Sequence, residues 1–271
     1  MALPSSVIDR IALSVFLLGG PYTFFYEFYI VSGHYFGDQY PSWIYFHVCI
    51  GMFGMLETYW NLYYVNITSN IVPQSLWTKP KDQTDGKKCM KCAIGVPPRS
   101  HHCKLCDKCI LKRDHHCWFA ATCIGHNNHR YYVVMILYVW IAAVYANLYN
   151  LQFNMYHIRT FGDLAVTLAG PHVGLLLGWY TAYDFYIRVM TALGVYFLVM
   201  FTWLLGLQLV QLQHGQTQYE WKKKIEQYDR GLKFNLKAIV GQRVIAVWFL
   251  PWISSPLLSN GMDYTRGEKM D

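Results

Sequence analysis

Residues 102–117 read His102-Cys103-Lys104-Leu105-Cys106-Asp107-Lys108-Cys109-Ile110-Leu111-Lys112-Arg113-Asp114-His115-His116-Cys117, with Cys89-Met90-Lys91-Cys92 upstream and Cys123 beyond. Zinc takes four tetrahedral Cys or His ligands, and a C-x2-C step lets one tight turn supply two of them. Cys103-x2-Cys106-x2-Cys109 contains two overlapping steps that share Cys106. One sulfur does not readily serve both, so the cluster divides between two sites. Seven cysteines fall within the 35 residues from Cys89 to Cys123. Setting Cys117 aside leaves six, and two histidines complete two closed sites of three cysteines and one histidine each. An odd cluster interleaved with histidines reads as metal ligands plus one free thiol rather than as a disulfide framework, and it favours a reducing compartment. A RING-type ubiquitin ligase is disfavoured, because the Cys-x-His step and terminal C-x2-C it needs are missing.

Outward from this cluster the chain turns apolar. Of its 271 residues 54% are hydrophobic and only 14% charged, against the roughly 25% usual in a soluble domain. A water-soluble enzyme of this size needs a more polar exterior, so the composition points to a membrane protein. Four stretches reach the roughly 20 residues a helix needs to cross a bilayer: Ile8–Ile30, Ile44–Val65, Tyr131–Phe153 and Ile187–Val210. The first is expected to be a retained helix rather than a signal peptide, since its apolar run continues past Gly19-Gly20-Pro21 without a cleavage pattern. Pro21 is expected to kink it. Glu27 and Glu57 lie inside spans, where they either face the interior or reach the headgroups.

With four spans, both termini and the 66–130 loop share one side, which collects 21 of the 23 Lys and Arg residues. The positive-inside rule makes that side the cytosol, in agreement with the reduced cysteines. The predicted fold is an all-α polytopic, multi-pass membrane protein with four transmembrane helices and a small cytosolic two-zinc, cysteine-rich domain. Residues 1–65 hold the N-terminus and helices one and two, 66–130 the zinc domain, 131–212 helices three and four with a luminal loop, and 213–271 a cytosolic tail. The Asn66-Ile67-Thr68 sequon then faces the cytosol and stays unglycosylated. Val244–Leu258 is apolar but broken by Pro251 and Pro256, too short to span, and is expected on the membrane surface or against the zinc domain. No internal repeat is evident.

Asp114-His115-His116-Cys117 sets a thiol beside a base and a carboxylate. A cysteine attacks as thiolate, and its ordinary pKa near about 8.5 leaves little thiolate at neutral pH unless an imidazole or positive charge stabilises it. His115 can take the proton and Asp114 can hold the imidazole tautomer, leaving His116 for zinc. Cys117 is either this nucleophile or a seventh ligand, but two closed tetrahedral sites have no vacancy for it. Only thirteen residues separate Cys117 from Tyr131, so the thiol lies near the membrane surface. That location suits a substrate with a polar head and an apolar tail.

The string from His102 to Cys123, preceded by Pro98-Arg99-Ser100-His101, resembles the cysteine-rich domain of the DHHC protein S-acyltransferases (palmitoyltransferases), which are four-span membrane enzymes. Thr217-x2-Glu220 resembles the family's Thr-Thr-x-Glu motif, with Gln218 in place of the second Thr. Tyr228-Asp229-x-Gly231-x3-Asn235-x5-Gly241 resembles its carboxyl-terminal motif, built around an Asn that ties the tail to the membrane domain. The resemblance implies that Cys117 attacks a long-chain acyl-CoA such as palmitoyl-CoA, forms a thioester intermediate, and passes the acyl group to a cysteine of a target protein. His115 is then the general base and Asp114 its orienting partner. It also implies two structural zinc ions, one on Cys89, Cys92, His102 and Cys109, the other on Cys103, Cys106, His116 and Cys123. The acyl chain would lie between the spans, each buried CH2 contributing about 0.8 kcal/mol.

Substrate proteins with accessible cytosolic or membrane-associated cysteines, and the lipid bilayer, are the implied partners; nucleic acid is not. Residence in an endomembrane (Golgi or ER) or the plasma membrane is a family expectation, and no retention signal is visible at Glu268-Lys269-Met270-Asp271. Basic residues such as Lys87, Lys88, Lys91, Arg99, Lys104, Lys108, Lys112 and Arg113 either meet the CoA phosphates or form a solvated face. The sequence departs from the family at Trp118-Phe119-Ala120-Ala121-Thr122, where Pro-Trp and an Asn-Asn pair are usual, and lacks the usual Asp-Pro-Gly. A catalytically weak or inactive zinc-domain adaptor is therefore the alternative. His34, His47, His157, His172 and His214 are scattered without evident partners, and His101 is a spare ligand should His102 be unused.

Overall fold

The computed structural model describes residues 6–36, 41–73, 88–154 and 157–262. Lys87 and the segment from Glu268 to Asp271 lie outside the described residues. Among them are nine α-helices, mostly in the apolar stretches, and six very short strands. Helix α1 (Val7–Tyr26) passes into a π-helical turn (Glu27–Ser32) and α2 (Gly33–Phe36). Then come α3 (Pro41–Ile67), α4 (His129–Asn154), α5 (Phe161–Ala169), α6 (Pro171–Leu176), α7 (Ala182–Gln213), α8 (Gln218–Lys223) and α9 (Leu232–Val240).

Among the described residues three helices are long and apolar enough to cross a membrane: Val7–Phe36, His129–Asn154 and Ala182–Gln213. Even the shortest, at 26 residues, extends about 39 Å, beyond the roughly 30 Å hydrocarbon core. The fourth expected span corresponds to α3, which has 27 residues but is not among those three. Glu57, Thr58, Asn61 and several tyrosines dilute its apolar character. Helix α1 continues through Pro21 as far as Tyr26, and the π turn follows it. Pro21 has no N–H for the Leu17 carbonyl, and the Tyr59 hydroxyl approaches that oxygen at 3.3 Å.

The chain divides into two compact units. One draws on residues 18–56 and 136–205, the other on 1–17, 57–135 and 206–271. The first has a core of Tyr26, Val31, Phe153, Ile187 and Met190. Within it Asn150 Nδ2 donates to Glu27 Oε1 at 2.5 Å, so Glu27 takes the interior role. His47 Nδ1 bonds the Tyr145 hydroxyl, and His157 Nδ1 lies 3.1 Å from Asp184 Oδ1, so these two histidines have partners the sequence does not reveal. Arg188 reaches across the α5 side of the 154–186 segment, donating to Thr167 Oγ1 and to the His157 carbonyl.

The second unit contains three antiparallel hairpins: β1 (Lys88–Cys89) with β2 (Ile94–Gly95), β3 (His101–Cys103) with β4 (Lys108–Ile110), and β5 (His115–Cys117) with β6 (Thr122–Ile124). Here the expectation of no repeat is corrected. Residues 88–95, 102–109 and 116–123 are the same eight-residue hairpin recurring every 14 residues. Lys88 faces Gly95, His102 faces Cys109 and His116 faces Cys123; in the next rung Cys89 faces Ile94, Cys103 faces Lys108 and Cys117 faces Thr122. The sixth residue of each copy, Ala93, Asp107 or Ala121, has a positive φ of 51–55° that closes the tight turn. The all-α expectation thus holds for the helical bulk but not for this domain.

Little apolar mass holds the hairpins. Val72, Ile94, Val96, Cys109 and Leu111 form one small cluster, and Cys103, Ile110 and Cys123 another. The end of α3 and the start of α4 frame them: Asn128 Nδ2 donates to the Val65 and Cys123 carbonyls at 3.0 and 3.1 Å. Beyond α9, Val247 packs with Ile239 and Val240, while Ile245, Phe249 and Trp252 in the Pro-broken apolar stretch stay exposed.

Candidate active site and metal centres

The hairpin repeat distributes the cysteines and histidines. Cys89, Cys92, His102 and Cys109 bring one ligand atom each within 4.8 Å of one another, and so do Cys103, Cys106, His116 and Cys123. Each cluster takes the two turn positions of one hairpin and the facing strand positions of the next. His102 and Cys103 are adjacent on β3, and successive strand side chains point to opposite faces, so the two residues join different clusters.

Cys92 Sγ lies 3.3 Å from His102 Nδ1; Cys106 Sγ lies 3.3 Å, and Cys103 and Cys123 Sγ each 3.7 Å, from His116 Nδ1. Zinc bonded at about 2.3 Å to sulfur and about 2.0 Å to nitrogen requires ligand–ligand edges of roughly 3.5–3.8 Å. The donor sets therefore fit a tetrahedral thiophilic cation. Their crowding has an electrostatic signature. A hydrogen bond from Cys123 is the main cause that drives the Cys106 thiol down to about 4, against its burial, while Cys123 is pushed far up, chiefly by Cys106. Burial, then Cys89 and Cys92, push the Cys109 thiol up in the other cluster. A bound cation relieves that competition for protons.

The outward nitrogens differ between the clusters. His116 Nε2 lies 3.2 Å from both carboxylate oxygens of Asp9, a buried residue in the first turn of α1. Among the described residues His102 Nε2 has only the exposed Asp107 carboxylate, at 3.5 Å. Arg113 Nη2 approaches Cys103 Sγ at 3.9 Å.

Cys117 belongs to neither cluster. It occupies the position that Cys89 and Cys103 hold in their hairpins, but its turn partner is Ala120 where those have Cys92 and Cys106. The alternation along β5 places His115 and Cys117 on one face and His116 on the other. His115 Nδ1 lies 2.7 Å from Asp114 Oδ2, which leaves Nε2 as the nitrogen not engaged by the carboxylate, and the Cys117 thiol on the same strand face is buried. The Gln218 backbone N–H donates to Asp114 Oδ1 at 2.6 Å, and Gln208 Nε2 to Oδ2 at 3.3 Å. Tyr132 meets the His115 ring edge to face, 4.9 Å between centroids.

Burial of Asp114 works against its charge, but the hydrogen bond and charge of His115 outweigh it and hold the carboxyl well below the usual carboxylate range. Burial likewise lowers His115, yet Asp114 and Cys117 overcome it and push the imidazole up to about 9. At neutral pH the site holds an ionised carboxylate beside a protonated imidazole.

The tail closes on this arrangement. Thr217 and Glu220 form a capping box on α8, the Glu220 N–H donating to Thr217 Oγ1 and the Thr217 N–H to Glu220 Oε2. The same carboxylate receives Arg99 Nε at 2.8 Å and Nη2 at 2.5 Å, a buried bidentate pair between the zinc domain and the tail. Asn235 Nδ2 donates to Asp229 Oδ1 at 2.9 Å and to the Gln213 carbonyl at 3.3 Å. Gly215, at φ +60°, passes so close that a Cβ there would meet Asn235 Oδ1 at 2.7 Å. Asp9, Gln208 and the Gln218 amide are contacts that sequence reading misses. His101 stays out of both clusters and lies tilted against Tyr219, with 4.0 Å between ring centroids.

A helical membrane-type chain whose paired metal-binding hairpins display an Asp-His-Cys array is a narrow class. The DHHC palmitoyltransferase family model matches residues 82–225, and the chain belongs to that family. It is 32% identical over 178 residues to human "Probable palmitoyltransferase ZDHHC24", covering 65% of this chain and 63% of the relative. It is 30% identical over 185 residues to the rat protein of that name, with the same coverage, and 39% identical over 115 residues to zebrafish "Palmitoyltransferase ZDHHC16B", covering 41% and 28%. The chain thus spans about 63% of the length of the ZDHHC24 proteins of human and rat.

Proposed function

We propose that the chain is a protein-cysteine S-acyltransferase that takes palmitate or a similar acyl group from acyl-CoA and delivers it to cysteines of target proteins. The observation that carries this reading is a thiol outside both metal clusters, on the same strand face as a carboxylate-paired histidine two residues away. In the first half-reaction the Cys117 sulfur attacks the thioester carbonyl, its S–H proton having passed to the medium through His115. The new C–S bond forms, the CoA–S bond breaks, and the departing CoA thiolate takes a proton from His115. In the second, His115 accepts the proton of the incoming cysteine, whose sulfur attacks the acyl-enzyme and expels the Cys117 thiolate. Asp114 keeps Nδ1 occupied throughout, so that Nε2 faces the sulfur.

In this reading Cys89, Cys92, His102 and Cys109 hold one zinc ion, and Cys103, Cys106, His116 and Cys123 a second. Both ions are structural and hold the hairpin carrying Cys117. Helix α3 completes a four-span topology with the termini and zinc domain in the cytosol, in the domain division 1–65, 66–130, 131–212 and 213–271. Endomembrane or plasma-membrane residence follows from the same reading. The substitutions at Trp118–Thr122 leave the turn of the third hairpin intact, which favours an active enzyme over an inactive adaptor.

Incubating detergent-purified protein with labelled palmitoyl-CoA tests the proposal. Hydroxylamine-sensitive label on wild type, absent from Cys117→Ser, is expected. Absence of label on wild type, or equal label on the variant, overturns it.

A further inference from the structure

Below the Arg99–Glu220 pair lies a cavity of about 190 Å3, walled by the zinc domain on one side and the tail on the other. That is far above the roughly 15 Å3 needed to hold one water. Arg99, Lys112 and His126 line it from the zinc domain, Tyr228, Arg230 and Phe234 from the tail, and among the described residues no carboxylate lines it. The aromatic rings position the guanidinium groups: Arg99 lies over Tyr228 at 4.4 Å and Arg230 over Phe234 at 4.1 Å. His126 is held by its Nε2–H, which donates to the Ser259 carbonyl at 3.0 Å.

Lys112 is the anomaly. It is 5% exposed, and among the described residues its ammonium has no hydrogen bond or ion pair. The two carboxylates whose charge reaches it are engaged elsewhere, Glu220 with Arg99 and Asp114 with His115 and Gln218. Burial, then the charge of Arg99, lowers Lys112 to about 7, and an anion arriving in the cavity would restore its charge. The cationic field is felt locally: burial, then Lys112, drive His126 down to about 4, so its ring is neutral at pH 7.

We propose that this cavity is a binding site for a phosphate group carried by a small anion, with Lys112 and Arg230 as its principal contacts and Arg99 as the wall between ligand and Glu220. A phosphate presents several charged oxygens in different directions, which suits an ammonium and guanidinium groups arriving from opposite walls better than a single carboxylate does. Two sources share this chemistry, the phosphates of coenzyme A and the phosphorylated headgroup of an inositol lipid; the first rests on the acyl-CoA reading and the second does not. Either would bridge the zinc domain to the tail.

The test is calorimetric titration of the full-length, detergent-purified protein with inorganic phosphate, coenzyme A, dephospho-coenzyme A and inositol trisphosphate. Saturable binding of at least one probe is expected, weakened about tenfold or more by Lys112→Met through loss of a charge-assisted contact. Arg230→Gln, at a partly exposed position, guards against misfolding of the first variant and is expected to weaken binding in the same direction with unchanged zinc content. Discrimination between coenzyme A and its dephospho form assigns the cavity to the donor; preference for inositol trisphosphate assigns it to the lipid. No saturable binding of any probe, or equal affinity in wild type and a folded variant, overturns the proposal. Coenzyme A bound equally by all three proteins overturns it while leaving the acyltransferase reading intact. Phosphate binding lost in the variants supports it even if Cys117 never becomes acylated.

Discussion

His116 turns Nδ1 toward three cysteine sulfurs and sets Nε2 3.2 Å from both carboxylate oxygens of Asp9, 107 residues earlier in the chain. A carboxylate on the far nitrogen of a metal-ligating histidine fixes its tautomer and raises its basicity, and losing such a partner costs roughly 10–100-fold in metal affinity. Asp9→Ala is therefore expected to release one of the two zinc ions to a chelator about that much more readily, while the site containing His102 keeps its metal. Chelator-competition kinetics with a colorimetric zinc indicator check this. Identical release of both ions in wild type and variant would show that Asp9 does not support the site.

The pairing of Asp114 with His115 makes stability and activity pH-dependent in a definite direction. His115 has a folded pKa of about 9, above its unfolded value near 6.5, so its contribution is fully present below about pH 6.5 and lost as pH rises through 9. Asp114 is depressed, so its contribution is present above about pH 4 and lost only on acidification. Thermal melting of wild type is expected to fall between pH 7 and 9 more steeply than that of Asp114→Asn. The variant's autoacylation should also drop by about 100-fold or more, as expected when the histidine loses its orienting group. Parallel melting curves across that range refute the coupling.

The Arg99–Glu220 pair is buried on both sides. Removing one partner leaves an uncompensated charge at a cost of about 3–5 kcal/mol, whereas replacing both with apolar groups is often neutral. Glu220→Ala is expected to be the more damaging, since it also removes half of the α8 capping box. Arg99→Met with Glu220→Met should recover most of the loss. Denaturation midpoints of the single and double variants decide the matter, and strictly additive losses contradict it.

Ala120 stands where the other two hairpins have a second cysteine. Ala120→Cys restores a C-x2-C step with Cys117, a pair able to capture zinc and quench the thiol. Added zinc is expected to suppress autoacylation of this variant and chelator to restore it, with little effect on wild type. Zinc-insensitive labelling of Ala120→Cys rules out that geometry.

The metal clusters were legible because their ligands lie close together in sequence and C-x2-C spacing has a direct steric meaning. The membrane character was legible from apolar run length, although α3 shows the limit: Glu57 and Asn61 sit buried in a helix whose hydropathy they lower. The 14-residue repeat was hidden because the first copy has Lys88 and Gly95 where the second has His102 and Cys109, so only strand register makes the copies superimpose. Asp9 and Gln208 were invisible for a different reason. Each is an ordinary polar residue near a helix end, and its meaning comes from a partner about a hundred positions away. Strand alternation along β5 puts His115 and His116 on opposite faces, a physical reason for their expected division of labour that ligand counting in the sequence does not supply.

Because neighbouring residues His102 and Cys103 serve different clusters, the hairpins follow one another like links, each completing the site that the one before it begins. Each cluster still closes on four ligands of its own, so one site can lose its metal while the other keeps it. Cys117 sits on the last link, where the pattern runs out: the fold prepares a sulfur for a metal, provides no further hairpin to complete the set, and leaves that sulfur available to carbon.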